Sequence, residues 1–144
     1  MEIRIYNTLP AEASAIRKSV FIDEQGFENE YDQIDTYATH LVMYDQNIPV
    51  GTCRLFQEKD SSSYIVGRLA VVREYRGQQI GSELLKAAER KVAEFHGASI
   101  ILHSQLQARD FYVKQGYTPY GKIELDEGCP HIWMRKNINR ETVL

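Results

Sequence analysis

Val71-Val72-Arg73-Glu74-Tyr75-Arg76-Gly77-Gln78-Gln79-Ile80-Gly81-Ser82-Glu83-Leu84-Leu85 runs from an apolar strand through a glycine-flanked turn into an amphipathic helix. Ile80, Leu84, Leu85, Ala88, Val92 and Phe95 recur at helical spacing, with Glu83, Lys86, Arg90 and Glu94 on the opposite face. The helix is therefore predicted to begin near Ile80. Its first N–H groups have no intrahelical partner, and the aligned peptide dipoles place roughly half a positive charge at that end. Phosphate is the natural guest. Gly77 and Gly81 carry no Cβ, so a ligand can approach the backbone, and Arg76 is a permanent cation beside it. A glycine-bearing turn before a helix also serves as a plain tight connection, so the turn alone leaves both readings open.

Upstream, residues 2–6 read as a first strand, and Pro10 opens a helical stretch through Ala13, Ile16, Arg17, Val20 and Phe21. Asp23 to Thr39 is rich in acidic and small polar residues and reads as a loop with one helical turn. His40–Tyr44, a turn at Asp45-Gln46-Asn47, and Pro49–Phe56 suggest a hairpin. After a turn at 59–63, Tyr64–Val72 is the central strand, whose Gly67 marks a bulge or a close backbone approach. Downstream, Gly97 ends the long helix and Ala98–His103 is a short buried-type strand. Gln107–Gln115 is a helix closed by Gly116, and strands follow at Tyr117–Lys122 and His131–Lys136. This order implies an α+β fold, a mixed sheet of about six to seven strands covered by helices. Residues 1–137 form one domain in this reading, and 138–144 a short tail.

The chain has 144 residues, 17 basic and 20 acidic, for a net charge of -3, which argues against a nucleic-acid-binding surface. No apolar run approaches the ~20 residues of a membrane span, and the first residues alternate like a strand rather than a signal peptide. A cytoplasmic location is expected. Cys53 and Cys129 form neither a Cys-x-x-Cys pair nor a zinc spacing, so they are read as free thiols and no metal is expected.

Arg76-Gly77-Gln78-Gln79-Ile80-Gly81, preceded by Arg68-Leu69-Ala70-Val71, resembles the acyl-CoA-binding segment of the GNAT superfamily of N-acetyltransferases. That segment usually reads Arg/Gln-x-x-Gly-x-Gly/Ala, and Gln79 stands where the first glycine is usual. A second signature is Ala108-Arg109-Asp110-Phe111-Tyr112-Val113-Lys114-Gln115-Gly116-Tyr117, similar to the family's Ala-x-x-Phe-Tyr helix beside the cofactor. The likeness covers nearly the whole chain. It implies a mostly antiparallel twisted GNAT-like sheet, acetyl-CoA as acyl donor and a small primary amine as acceptor, joined by direct attack in a ternary complex. It further implies that pantetheine lies like an added strand between the strands ending near Val72 and His103. Arg76, Gly77, Gln78, Gln79, Ile80, Gly81 and Ser82 would then bind the phosphates. Leu69, Ala70 and Val71 would serve the thioester carbonyl through a backbone N–H, with Gln105, Ala108 and Tyr112 completing the cofactor set. A homodimer is compatible with the same likeness.

Tyr112 is the expected general acid, because a phenol with a reference pKa near ~10 can hydrogen-bond or protonate a departing thiolate. Standing alone, a Phe-Tyr pair is as well explained by packing under a helix. A narrower likeness, carried by Val20-Phe21-Ile22-Asp23-Glu24-Gln25 with Glu30, Asp32 and Asp35, and by Gly121 and Asp126-Glu127-Gly128-Cys129-Pro130-His131-Ile132-Trp133-Met134, is to a bacterial subgroup of small GNAT proteins. The acidic early loop also faintly resembles acyl-homoserine-lactone synthases. A non-catalytic CoA-binding module is the alternative from another class.

Glu24, Glu30, Asp32 and Asp35 concentrate negative charge in one loop, either as a solvated surface or as an attraction for a cationic amine with Glu24 as proton acceptor. Arg54 and Arg68 lie within apolar strands, so they should pair with those acids or bind an acidic group on the acceptor. His40, His103 and His131 fall at strand ends and are candidate bases or structural groups, whereas His96 suits the negative end of the long helix.

Overall fold

The computed structural model describes residues 1–138. The tail expected over 138–144 thus lies outside the described residues from 139 onward. Among the described residues seven strands form an open, mostly antiparallel sheet in the order β1-β2-β3-β4-β5-β7-β6, with three α-helices. The strands are β1 (Glu2–Tyr6), β2 (Thr39–Asp45), β3 (Ile48–Gln57), β4 (Ser63–Val71), β5 (Ser99–Gln105), β6 (Thr118–Asp126) and β7 (Cys129–Asn137). The helices are α1 (Ala11–Arg17), α2 (Ile80–Glu94) and α3 (Arg109–Lys114). By internal contacts the chain divides into two compact units, 1–56 with 66–88, and 57–65 with 89 onward.

In the first unit β1, β2 and β3 form an antiparallel meander. The β2–β3 loop is two residues, Gln46 and Asn47, both left-handed at φ 48° and 71°, the backbone whose twist matches that of a hairpin. Ala13, Ile16, Val20 and Phe21 pack on Val42, Tyr44 and Ala70, with Tyr6, Leu9, Phe27 and Val72 at the margin. Pro10 stands at the N-cap, just outside α1. The helical stretch does not end at Phe21. It widens into a π-helix, Lys18–Glu24, so Asp23 and Glu24 are helical rather than part of a loop. The expected single turn within that loop is a 3₁₀ turn, Gln33–Thr36, closed by a capping box between Asp32 and Asp35.

Also in the first unit, α2 begins at Ile80, and Ile80, Leu84, Leu85 and Ala88 are buried while Glu83 and Lys86 are exposed. A Cβ on Gly51 would stand 2.9 Å from Ile80 and Leu84, so this glycine lets the start of α2 lie against β3. Gly67 has no such neighbour, only Arg54 Nε at 4.0 Å, and the irregularity of β4 falls one residue later, where Arg68 takes φ 53°.

In the second unit Ser63–Ile65 of β4 pairs in parallel with Ser99–Ile101 of β5, and β5, β7 and β6 are antiparallel neighbours. The β6–β7 hairpin is longer than its sequence suggests, because β6 runs on to Asp126 and turns through left-handed Glu127 and Gly128. The end of α2 also differs from expectation. His96, at φ 63°, takes the left-handed position, and Gly97 N–H bonds back to Val92 O at 2.9 Å, a Schellman closure. Gly97 is small for another reason, since a Cβ there would lie 2.6 Å from Val92 and 2.7 Å from the Tyr64 ring. Phe95, expected on the buried face, is exposed and stacks on Tyr64 at 5.6 Å.

Candidate functional site

β4 ends at Val71, a 3₁₀ turn covers Arg73–Tyr75, and the chain enters α2 through Arg76, Gly77, Gln78 and Gln79, all exposed. Gly77 has φ 81° and a Cβ there would meet nothing, so the glycine is required by the backbone and not by a neighbour. Gln79 has φ 63°, which gives the physical content of its departure from the family pattern: a left-handed position that glycine fills without strain holds an L side chain here. Arg76 Nε donates to Val71 O at 3.0 Å, which ties the turn to the end of β4. Leu69, Ala70, Val71 and the turn through Ser82 are thus brought together in the first unit, at the start of a fifteen-residue helix.

Glu24 belongs to this turn and not with the other acids. Its two carboxylate oxygens accept from Arg76 at 2.6 and 2.8 Å, and Arg73 lies at 3.6 Å. The Arg76 hydrogen bonds hold the Glu24 carboxyl below its ordinary range. The carboxylate grouped in the sequence with an amine-attracting loop instead neutralises the cation read as a phosphate ligand.

Buried Glu30 and Asp35 and the more exposed Asp32 are joined in one ionic network, which the sequence shows in part through Arg54 and Arg68. Arg54 donates to Asp32 at 2.7 and 3.1 Å and to Asp35 at 3.0 Å. Arg68 Nε lies 3.0 Å from Glu30 and its other end 3.6 Å from Asp32. The missed member is Arg17, 1% exposed, which donates to Glu30 Oε2 at 2.9 Å and to both oxygens of Asp35 at 2.7 and 3.0 Å. Its position on an apolar helix face was the available signal, because a guanidinium there demands buried partners. Three guanidiniums and three carboxylates cancel. Burial pushes the Asp35 carboxyl up, but the Arg17 and Arg54 hydrogen bonds prevail and hold it at about 2. Burial wins at Glu30, which is raised. His40 is buried against the same network, its Nε2–H donating to Asp35 O at 3.0 Å, and burial lowers its pKa.

In the second unit Gln105 ends β5, Ala108 ends a 3₁₀ turn and Tyr112 lies in α3, so one continuous run carries all three. Tyr112 is half-buried, edge-on to Phe111 and Tyr117 at 5.0 and 6.0 Å. Tyr117 donates to buried Glu89 at 3.0 Å, and Lys136 reaches Glu89 at 2.9 Å. His103 stacks on Trp133 at 4.4 Å and lies 4.9 Å from His131, whose Nδ1–H donates to Cys129 O at 2.8 Å. Cys53 and Cys129 are free thiols, and burial pushes Cys53 up to about 12. Among the described residues no group of His, Cys, Asp and Glu is arranged as a metal site, and no helix is long and apolar enough to cross a membrane.

Residues 9–138 match the family described as the acetyltransferase (GNAT) domain. The chain is 35% identical over 129 residues to the uncharacterized N-acetyltransferase YjcF of Bacillus subtilis (strain 168), covering 88% of this chain and 91% of that one. Among solved structures it is similar to an acyl-CoA N-acyltransferase from Pseudomonas aeruginosa, with a TM-score of 0.83 and 20% identity over 94% of this chain and 98% of that one. It is also similar to an aminoglycoside 6'-N-acetyltransferase complexed with coenzyme A, with a TM-score of 0.75 and 20% identity over 96% and 98% of the two chains.

Proposed function

The chain belongs to the GNAT acetyltransferase family, and from that premise we propose that it transfers acetyl from acetyl-CoA to the primary amine of a small molecule. The observation that carries this reading is the exposed turn from Arg76 into α2, with left-handed backbone at Gly77 and Gln79 and a full-length helix behind it. Its N–H groups and Arg76 suit a pyrophosphate, and a solved relative of this fold holds coenzyme A.

In this reading acetyl-CoA supplies a thioester carbonyl and a thiol leaving group. A backbone N–H from Leu69–Val71 supports the carbonyl oxygen as negative charge grows on it. Tyr112 gives its hydroxyl proton to the sulfur as the carbon–sulfur bond breaks, and the proton that the nitrogen sheds once the carbon–nitrogen bond has formed passes through water to restore the phenol. Glu24 competes with phosphate for Arg76, since one guanidinium face cannot serve both fully. Cytoplasmic residence is part of the same proposal, in keeping with the two free cysteines.

The experiment is a thermal melt with acetyl-CoA followed by an amine panel read by thiol release. A ligand at a hundred times its Kd adds about 2.7 kcal/mol to the unfolding free energy, an upward shift that a melt resolves. No shift at millimolar acetyl-CoA, with no thiol released by any amine, would defeat the proposal.

A further inference from the structure

Between Val72 and Ile80 every residue is exposed except Tyr75, which is half-buried. Contacts with β3 fix the two ends of this stretch. Val72 N–H donates to Val50 O at 3.0 Å on entry, and at the exit the missing Cβ of Gly51 lets Ile80 lie close. Within the stretch, side chains make the connections. Arg76 and Arg73 reach Glu24, Arg76 Nε donates to Val71 O, and the Tyr75 hydroxyl donates to Asp45 Oδ2 at 3.0 Å, 30 residues away.

These tethers differ in what an incoming phosphate does to them. A phosphate drawn to Arg76 takes the guanidinium that Glu24 holds, so the clasp that is closed in the free protein opens as the donor binds. The Tyr75 hydrogen bond uses no group that a phosphate would take, and its carboxylate acceptor makes it one of the stronger side-chain kind. Its far end is also fixed. Asp45 ends β2 and pairs with Ile48 across the two-residue hairpin, and Asn47 in that hairpin accepts from Arg4 Nη2 at 2.8 Å. The Arg4 guanidinium in turn lies 4.2 Å from the centre of the Tyr44 ring. Every residue in this chain of contacts, from Arg4 to Ile80, belongs to the first unit.

We propose that Tyr75 is a positioning residue of the donor site: its bond to Asp45 holds the 3₁₀ turn to β2, so that the N–H groups from Gly77 to Gly81 stay in place for the donor's phosphates once Arg76 has left Glu24. The inference rests on the acyltransferase reading above. Tyr75 acts through the turn and not by touching the donor. A turn already held in its bound shape loses less freedom when a ligand arrives, and that difference appears as affinity. Without the bond, the ligand itself has to order the exposed middle of the stretch. In the free protein the Glu24 clasp still holds the turn, so the hydroxyl matters more with the donor bound than without it.

The test combines calorimetric titration of the full-length protein with coenzyme A and a melt without ligand. Tyr75→Phe keeps the ring and should weaken coenzyme A binding about threefold to tenfold, with the ligand-free Tm within about 2 °C of wild type. Asp45→Ala should weaken binding equally, although by charge alone the removal of a carboxylate favours an anionic ligand. Asp45→Asn, whose amide oxygen still accepts from the phenol, should keep most of the affinity. The double variant Tyr75→Phe with Asp45→Ala should bind no more weakly than either single one, since both remove the same bond. With an amine that the panel identifies, KM for acetyl-CoA should rise by the same factor in Tyr75→Phe. Transfer from S-acetyl-N-acetylcysteamine, a thioester without phosphate, should be unchanged. Failure of acetyl-CoA to shift the wild-type melt would sink the acyltransferase reading itself. A normal wild-type shift with unchanged coenzyme A affinity in Tyr75→Phe, tighter binding in Asp45→Ala, or losses that add in the double variant would overturn this inference alone.

Discussion

Replacing Arg17 by methionine tests the network that closes the acidic loop. Arg17 is 1% exposed, and its guanidinium makes three hydrogen bonds to the carboxylates of Glu30 and Asp35, with a fourth to Glu30 O at 3.0 Å. Methionine keeps most of the volume and removes the charge, leaving two buried carboxylates with only Arg54 and Arg68 to compensate them. Breaking one partner out of a buried ionic cluster costs about 3–5 kcal/mol, which for a chain of this size lowers Tm by about 10 °C or more. The deficit must also depend on pH. In the wild-type protein Asp35 sits at about 2 against an ordinary 3.8, so its contribution, about 2 kcal/mol, is fully present above pH ~4 and is lost as pH falls toward ~2. Glu30 has the opposite sign, since burial raises it, and the cost of ionising it in the folded state is relieved as pH falls through that raised value. Without Arg17 Asp35 loses part of what holds it low and Glu30 is pushed up further, so both take up protons at higher pH. Arg17→Met should therefore show its full deficit near pH ~7.5 and a smaller one near pH ~5 in urea unfolding monitored by circular dichroism. A deficit below ~1 kcal/mol at the higher pH, or one identical at both, would refute the account of the network.

Gln79→Gly should raise stability by about 0.5–1 kcal/mol, the left-handed penalty less the added freedom of the unfolded chain, and a melt without ligand reads it. Glu24→Gln should tighten acetyl-CoA binding several-fold and steepen its salt dependence, because Arg76 is then uncompensated; calorimetric titration at two ionic strengths checks this, and weaker binding would contradict it. Tyr112→Phe keeps the ring contacts with Phe111 and Tyr117, so cofactor affinity should hold while single-turnover acetyl transfer falls about 10²–10⁴-fold; an unchanged rate would make Tyr112 a packing residue.

Much of the fold is legible in the sequence because it rests on local periodicity. The start of α2 at Ile80, its buried and charged faces, the hairpin at Gln46-Asn47 and the closing of α3 by Gly116 are each set by residues within a few positions of one another. The turn from Arg76 into α2 is legible for the same reason, since helix start, glycine and arginine are contiguous in the chain. Where the local pattern misleads, a tertiary contact is the cause. Gly97 reads as a helix stop, but Tyr64, 33 residues away, requires its missing Cβ, and His96 takes the left-handed turn instead. Glu24, Glu30, Asp32 and Asp35 look alike in sequence. Only the folded chain separates Glu24, held by Arg76 52 residues away, from the three that neutralise Arg17, Arg54 and Arg68. Which carboxylate meets which guanidinium depends on long-range distance and burial, which no local spacing encodes, and the same holds for the rows that set His103, Trp133 and Glu124 side by side.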